Sequence, residues 1–154
     1  MCGYLCRKTF DMAEQIINQI PGYENGLVHY VSTTDEVSAI FLAAQIVSDL
    51  LNKWNTNVAF FSYTGRCQTL IDLVKNESKV ARLHTVIQKN KLLQVFISKA
   101  QGMTNRKSVR QFVIEGMPEL DASAKRRLEQ HAKANHTSIT VIEVHEEDVE
   151  LSLD

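Results

Sequence analysis

The segment NVAFFSYTGRCQTLIDLV, residues 57–74, predicts a strand, a short loop and a helix in succession. Residues 58–62 form a mostly apolar run that predicts a buried strand, and residues 67–75 predict a helix. The loop between them, residues 62–66, gathers hydroxyls, backbone N–H groups and a guanidinium at the start of a helix, where anions bind. We therefore predict a phosphate site in this loop, and its ligand-binding residues are Ser62, Thr64, Gly65 and Arg66.

Segments of two kinds alternate on either side of this loop. Apolar, β-rich segments predict four strands, at residues 27–32, 58–62, 92–98 and 138–145. Apolar residues at helical spacing predict helices at residues 9–20, 33–52, 67–75, 80–89, 105–114 and 121–134. Thr33 and Glu36 have the spacing of a capping box, and Asp121 is the predicted N-cap of the last helix.

This alternation favours parallel β-α-β units with helices on both faces of one sheet. The central strands are largely apolar, as is expected when both faces of a sheet are covered. We therefore predict a single α/β domain over residues 1–154. Its architecture is a three-layer sandwich of the Rossmann-like type, in which helices flank a mostly parallel four-stranded sheet.

Three of the predicted strands end in similar chemistry. Residues 27–31 run into Ser32, residues 58–61 run into the phosphate loop, and residues 92–97 run into Ser98. In a parallel sheet these ends share one edge, and ligands bind beyond that edge. Lys99 and Arg106 are therefore predicted as further cations for a small phosphate-bearing ligand, most simply a nucleotide. Ordinary capping of helices by hydroxyls is the alternative explanation.

The loop resembles a known phosphate-binding element. Ser62, Thr64 and Gly65 after an apolar strand are similar to the Ser/Thr-x-Thr-Gly-x-Thr loop of flavodoxins. Cys67 stands where the last Thr of that pattern belongs, and the loop follows the second predicted strand rather than the first. The match covers about six residues and departs from the pattern in these two ways, so we predict no flavin or other cofactor.

A second resemblance concerns the helix that begins near Glu36 and the strand at residues 58–62. Together they resemble the helix-strand core of ribonuclease H proteins, a family that needs several carboxylates around metal ions. Here the strand ends in Tyr63 and Thr64, with no Asp. The resemblance therefore implies a nuclease-like fold without catalysis, and no metal site is predicted.

Composition limits the class of protein. The 154 residues are 44% hydrophobic and 23% charged, which is ordinary for a globular domain. We expect no membrane span, because no apolar run reaches ~18 residues. The N-terminus lacks the apolar core of a signal peptide, and three cysteines indicate no disulfide framework. A cytoplasmic location is the expectation.

Charge is distributed unevenly along the chain. Residues 143–154 carry six acidic residues and no Lys or Arg, which leaves 12 acidic residues against 17 basic ones in residues 1–142. Such a tail is either a solvated terminus or a shield for an anion-binding surface. Its alternating apolar residues, Val149, Leu151 and Leu153, leave open a third interpretation, an added strand that forms a homodimer.

Two other functions stay open. Basic residues on the predicted helices, with Lys125, Arg126 and Arg127 the densest group, suit a module that binds nucleic acid or protein. An enzyme that uses Cys67 or His136 is the third hypothesis, because Cys67 lies beside Arg66 at a predicted helix start. No catalytic motif is recognised in the sequence, so catalysis is not expected.

Overall fold

The computed structural model describes residues 26–53, 57–74, 83–87, 92–107 and 109–145. Within these ranges strands and helices alternate along the chain. The strands are β1 (Val28–Thr33), β2 (Val58–Ser62), β3 (Leu83–Ile87), β4 (Gln111–Met117) and β5 (Ser138–Val144). The helices are α1 (Glu36–Lys53), α2 (Cys67–Val74), α3 (Leu92–Lys107) and α4 (Ala122–Asn135).

All five strands belong to one parallel sheet, in the order β1-β5-β4-β2-β3. The β1→β2 and β2→β3 connections run across the sheet in one direction, and β3→β4 and β4→β5 run back. β-α-β crossovers are right-handed. Crossovers that run in opposite directions across the sheet therefore place their helices on opposite faces. The chain obeys this rule, since α1 and α2 cover one face and α3 and α4 cover the other.

Two apolar cores lie on the two faces of the sheet. On the α1/α2 face, Phe60 and Val113 pack against Leu70 and the apolar side of α1. On the α3/α4 face, Phe61 and Phe112 pack against helix residues that include Phe96. Every residue of β2 and β4 is buried, as expected for central strands covered on both faces.

The predicted three-layer α/β sandwich is confirmed, and β2 has the predicted bounds. The sheet has five described strands rather than four. Within the predicted helix at residues 80–89, the described residues Leu83–Ile87 form β3 instead. No helix within the described ranges is long and apolar enough to cross a membrane. The predicted helix at residues 9–20 and most of the acidic tail lie outside the described residues.

The predicted strand at residues 92–98 was wrong, and within the predicted helix at residues 105–114 the described residues are helical only as far as Lys107. Residues 92–98 begin helix α3 rather than forming a strand, and residues 111–114 belong to β4 rather than to a helix. The buried positions of α3 include Phe96 and Ala100, which are spaced one helical turn apart. A short apolar run fits a strand and a buried helix equally well by periodicity, and packing on the sheet decided between them.

Caps explain where two helices begin. The backbone N–H of Ser38 donates to Asp35 Oδ1 over 2.6 Å, so Asp35 caps α1 in place of the predicted Thr33–Glu36 box. Asp121 caps α4 as predicted, since its Oδ1 accepts the N–H of Ala124 over 2.7 Å. Each cap satisfies an N–H group that has no partner within the helix.

His131 on α4 leads to a prediction about stability in acid. Its side chain is buried beside Phe96, its Nε2 has no hydrogen-bond partner, and burial lowers its pKa below 6.5. The unfolded chain therefore accepts a proton that the folded chain resists, so stability falls as the pH drops below that value. When the pH is lowered from about 8 to about 5, the free energy of unfolding should fall less for His131→Leu than for the wild type.

Urea titrations at the two pH values measure this difference. The variant should keep part of the acid sensitivity, because burial also lowers the pKa of His29. Equal losses in the variant and the wild type would show that His131 is not a source of the acid sensitivity.

Candidate functional site

Strands β2 and β4 are neighbours in the sheet, yet the chain leaves them toward opposite faces. After β2 it enters α2 on one face, and after β4 it enters α4 on the other. The two loops therefore diverge and leave a crevice at the carboxyl ends of these strands. A crevice of this kind, at the point where the direction of winding switches, is where doubly wound sheets bind ligands.

An open cleft of about 510 Å³ lies at this crevice. Its volume falls within the range of roughly 300–1,000 Å³ that is usual for small-molecule sites. The walls combine a carboxylate, a phenol ring, a hydroxyl and apolar surface. The lining residues are Glu36, Tyr63, Thr64, Gly116, Pro118 and Val144.

The loop after β2 is tied to β4 and to its own helix. The N–H of Tyr63 donates to the carbonyl of Glu115 over 2.9 Å, which continues the sheet pairing by one residue. The N–H of Arg66 donates to Ser62 Oγ over 2.8 Å and closes the loop before α2. Gly65 has a φ of 77°, a left-handed conformation that glycine adopts without a Cβ clash.

Glu115 is the central polar residue of the site. It is fully buried, and its carboxylate accepts a hydrogen bond of 2.6 Å from Ser62 Oγ. Thr64 Oγ1 also donates to the carboxylate, at 3.1 Å from Oε1 and 3.0 Å from Oε2. Burial raises the pKa of Glu115, while these two hydroxyls and the charge of Arg66 offset part of the rise.

Arg66 already has a partner that lines the cleft. Its guanidinium forms an ion pair with Glu36 of α1, with 3.0 Å between Nη2 and Oε2. Both side chains are partly exposed, at 33% for Arg66 and 49% for Glu36. Exposed pairs of this kind contribute only about 0–1 kcal/mol, so a ligand group can compete for either partner.

Close packing between the loop after β2 and the end of β4 depends on Gly116. This residue has a φ of 81° and lies where the β4–β5 register shifts. A Cβ at this position would approach Thr64 Cγ2 to 2.7 Å, which is inside van der Waals contact. The methyl group of Thr64 therefore rests against Gly116 while its hydroxyl reaches Glu115.

The structure brings together four of the predicted site residues and separates the other two. Ser62, Thr64, Gly65 and Arg66 share the loop after β2, although both hydroxyls donate to Glu115. The predicted position of the two remaining cations at the carboxyl edge was wrong. Lys99 is an exposed residue in the middle of α3, and Arg106 lies in the last turn of α3, which leads toward the amino end of β4.

Sequence reasoning missed Glu115 and Gly116, because they were placed after a predicted helix. The signal was present in QFVIEGM, residues 111–117, whose β-branched and aromatic residues are typical of a strand. A glycine near the end of such a run also indicates a bulge. Read as a strand, this segment would have placed an acid at the same sheet edge as the phosphate loop.

The structure places the described basic residues of the predicted helices in different elements. Arg110 precedes β4, outside any helix, and donates to the carbonyl of His136 over 3.2 Å. On α4, the Lys125 ammonium lies 4.9 Å from the centre of the Tyr30 ring. Arg126 and Arg127 are exposed on the same helix, and nucleic-acid binding through them stays a prediction.

The residues of the enzyme hypothesis have structural positions. Cys67 is buried at the start of α2, within the core on the α1/α2 face. His136 ends α4 in a left-handed conformation, and its N–H bonds to the carbonyl of Ala132. Among the described residues, no group of three or more His, Cys, Asp and Glu side chains is arranged to hold a metal ion.

Comparison with known proteins does not assign the chain to a family. No family model matches the sequence, and no curated protein matches it significantly. The site is therefore interpreted from its own geometry and chemistry.

Proposed function

We propose that the protein binds a small phosphate-bearing ligand, of the nucleotide type, in the cleft beyond β2 and β4. The observation that carries this proposal is the position of the cleft at the point where the sheet's winding switches direction. Ligands of doubly wound sheets collect at such points because the diverging loops leave room and the helices there begin at the carboxyl edge. A second open cleft, of about 520 Å³, lies at the start of α4, but its lining includes the carboxylates of Glu119 and Asp121, which suit nucleic-acid phosphates poorly.

The lining of the cleft suits the parts of a nucleotide. Tyr63 is 37% exposed beside the cleft, so its ring is available to stack on a planar base. Stacking of a base on an aromatic side chain is worth about 1–3 kcal/mol. A side-chain oxygen at position 36, from the carboxylate of Glu36 or from an amide in its place, can accept a hydrogen bond from a sugar hydroxyl.

Arg66 is the residue that we assign to the phosphate. The guanidinium of Arg66 pairs with Glu36, so Glu36 occupies the place that a phosphate oxygen would take. A guanidinium binds phosphate through parallel hydrogen bonds, and a bond to a charged group contributes about 1.5–3 kcal/mol. This contribution exceeds that of an exposed ion pair, so a phosphate can displace Glu36.

Opposite effects are expected from the two members of this pair. Arg66→Ala should weaken nucleotide binding by about tenfold to 150-fold, the loss of one charge-assisted contact. Glu36→Gln should leave affinity unchanged or raise it by up to about fivefold, because it removes the competitor of the phosphate. Calorimetric titration with AMP, ATP and GTP measures both effects.

Arg126→Ala is the matched control, since it removes an exposed arginine from α4 on the opposite face of the sheet. It should bind nucleotides like the wild type. A wild-type protein that gives no binding heat with any of the three nucleotides would overturn the proposed function. Weakening by Arg126→Ala to the same extent as by Arg66→Ala would show that binding is a general charge effect.

A further inference from the structure

We propose that Glu115 is a positioning residue, whose buried carboxylate holds the loop at residues 63–66 in the conformation that presents Tyr63 and Arg66 to the cleft. The proposal extends the proposed function of the cleft, but its first measurement requires no ligand. It rests on three features of the site: the way the loop is attached, the relay through Ser62 and the charges that face the carboxylate.

The loop is attached mainly through side chains. Its described backbone bonds lie at the two ends, where the N–H of Tyr63 donates to the carbonyl of Glu115 and the carbonyl of Arg66 accepts from Leu70. Between those ends, Thr64 is held by its hydroxyl on the Glu115 carboxylate and by its methyl group against Gly116. The position of the loop therefore depends on a buried acceptor 51 residues further along the chain.

Ser62 transmits the effect of the carboxylate to Arg66. Its hydroxyl donates to Glu115 Oε2 over 2.6 Å, which leaves an oxygen lone pair for the N–H of Arg66 at 2.8 Å. Without an acceptor at Glu115, the hydroxyl hydrogen must find another partner and the lone pair is no longer directed at Arg66. The backbone of the phosphate-binding arginine is thus oriented by a carboxylate on the next strand.

The charges around Glu115 distinguish this role from simple packing. Arg66 on the loop lowers the pKa of Glu115 and Glu36 on α1 raises it, while the adjacent residue of β5, Ile142, is apolar. An ionised carboxylate accepts from both hydroxyls at once. Protonation turns one oxygen into a donor, so the network must rearrange when Glu115 becomes neutral. Loop order is therefore expected to depend on pH through this residue.

Hydrogen exchange of the loop amides tests the proposal without a ligand. Thr64→Val removes the hydroxyl and keeps the shape, and it should speed exchange of the hydrogen-bonded amides of Tyr63 and Arg66 by about tenfold or more. Thr64→Ser keeps the hydroxyl and should stay closer to the wild type. Glu115→Gln should also speed loop exchange, and its exchange, corrected for intrinsic rates, should be less sensitive to acid than that of the wild type.

Glu143→Gln is the matched control, because Glu143 is a second buried strand carboxylate that bonds the N–H of Leu120 rather than the loop. It should leave exchange at residues 63–66 unchanged. If the loop amides of Thr64→Val and of Glu115→Gln both exchange as slowly as those of the wild type, the proposal is overturned. Uniformly faster exchange across the whole sheet would also overturn it, since Glu115 would then act only as part of the core.

Nucleotide titration of the same variants separates this proposal from the proposed function. If ATP binds the wild type, Thr64→Val should weaken it and Thr64→Ser should weaken it less. The loop amides could respond as expected while ATP binds neither the wild type nor any variant. In that case the positioning role of Glu115 stands and the proposed function fails. Unchanged ATP affinity in a variant with a loosened loop would contradict the role of Glu115 in presenting Arg66.

Discussion

Replacement of Gly116 by alanine is expected to lower the free energy of unfolding by about 2–5 kcal/mol. Two costs add at this position. A residue with a Cβ is strained at a φ of 81°, and the new methyl group would approach Thr64 Cγ2 to 2.7 Å. The backbone of Gly116 is fixed within β4, and a shift of Thr64 would disturb its hydrogen bonds to Glu115. Urea-induced unfolding followed by circular dichroism measures the loss.

Gly102→Ala is the matched control for this substitution. Gly102 lies within α3, and a Cβ there would have no neighbouring atom within 4 Å. Alanine favours a helix over glycine by about 0.5–1 kcal/mol, so this variant should be as stable as the wild type or more stable. Equal stability of the two variants would contradict the packing described at Gly116. Loss of nucleotide binding in Gly116→Ala alone would also place this packing next to the ligand.

Replacement of Phe96 by alanine is expected to cost about 3–5 kcal/mol of unfolding free energy. Phe96 of α3 is fully buried against the sheet, and its ring contacts two phenylalanine rings of the strands edge to face. The ring centroids lie 4.8 Å away for Phe61 and 5.6 Å away for Phe112. Truncation leaves a cavity that these rigid rings cannot fill. Thermal or denaturant unfolding gives the loss directly.

Gln94→Ala tests at the same time whether residues 92–98 are helical. Gln94 and Phe96 would lie on one face of a strand, but they lie on different faces of helix α3, where Gln94 is exposed. The helix therefore predicts a change of at most about 0.5 kcal/mol for Gln94→Ala. Comparable losses for Gln94→Ala and Phe96→Ala would support the strand that the sequence suggested.

Much of the α/β architecture could be predicted from local patterns. The bounds of β2 follow from an apolar run that ends in a turn, and α4 follows from helical spacing behind an Asp121 cap. The alternation of such units is enough to predict a three-layer sandwich with parallel strands. The loop at residues 62–66 could also be located, because a strand that runs into a helix places it at the carboxyl edge.

The errors arise where local patterns are ambiguous. LLQVFIS at residues 92–98 has the residue types of a strand, and only its place on the sheet shows that Phe96 and Ala100 form the buried side of a helix. The same misassignment moved Lys99 and Arg106 to the wrong edge and hid the strand that carries Glu115. Periodicity in a seven-residue window cannot resolve this ambiguity.

Local sequence patterns are enough to identify the β2-loop-α2 unit, the alternation of strands and helices, and the hydroxyls and arginine of the candidate site. The position of β4 beside β2, which brings Glu115 to Ser62 across 53 residues of chain, follows only from the folded sheet. The fold also directs the hydroxyls of Ser62 and Thr64 to the Glu115 carboxylate. It pairs the guanidinium of Arg66 with Glu36. Helix and strand periods are set by residues that are close together in the chain, so they can be recognised from the sequence. The order of parallel strands is set by how helices are buried on both faces of the sheet, and local patterns do not contain this information.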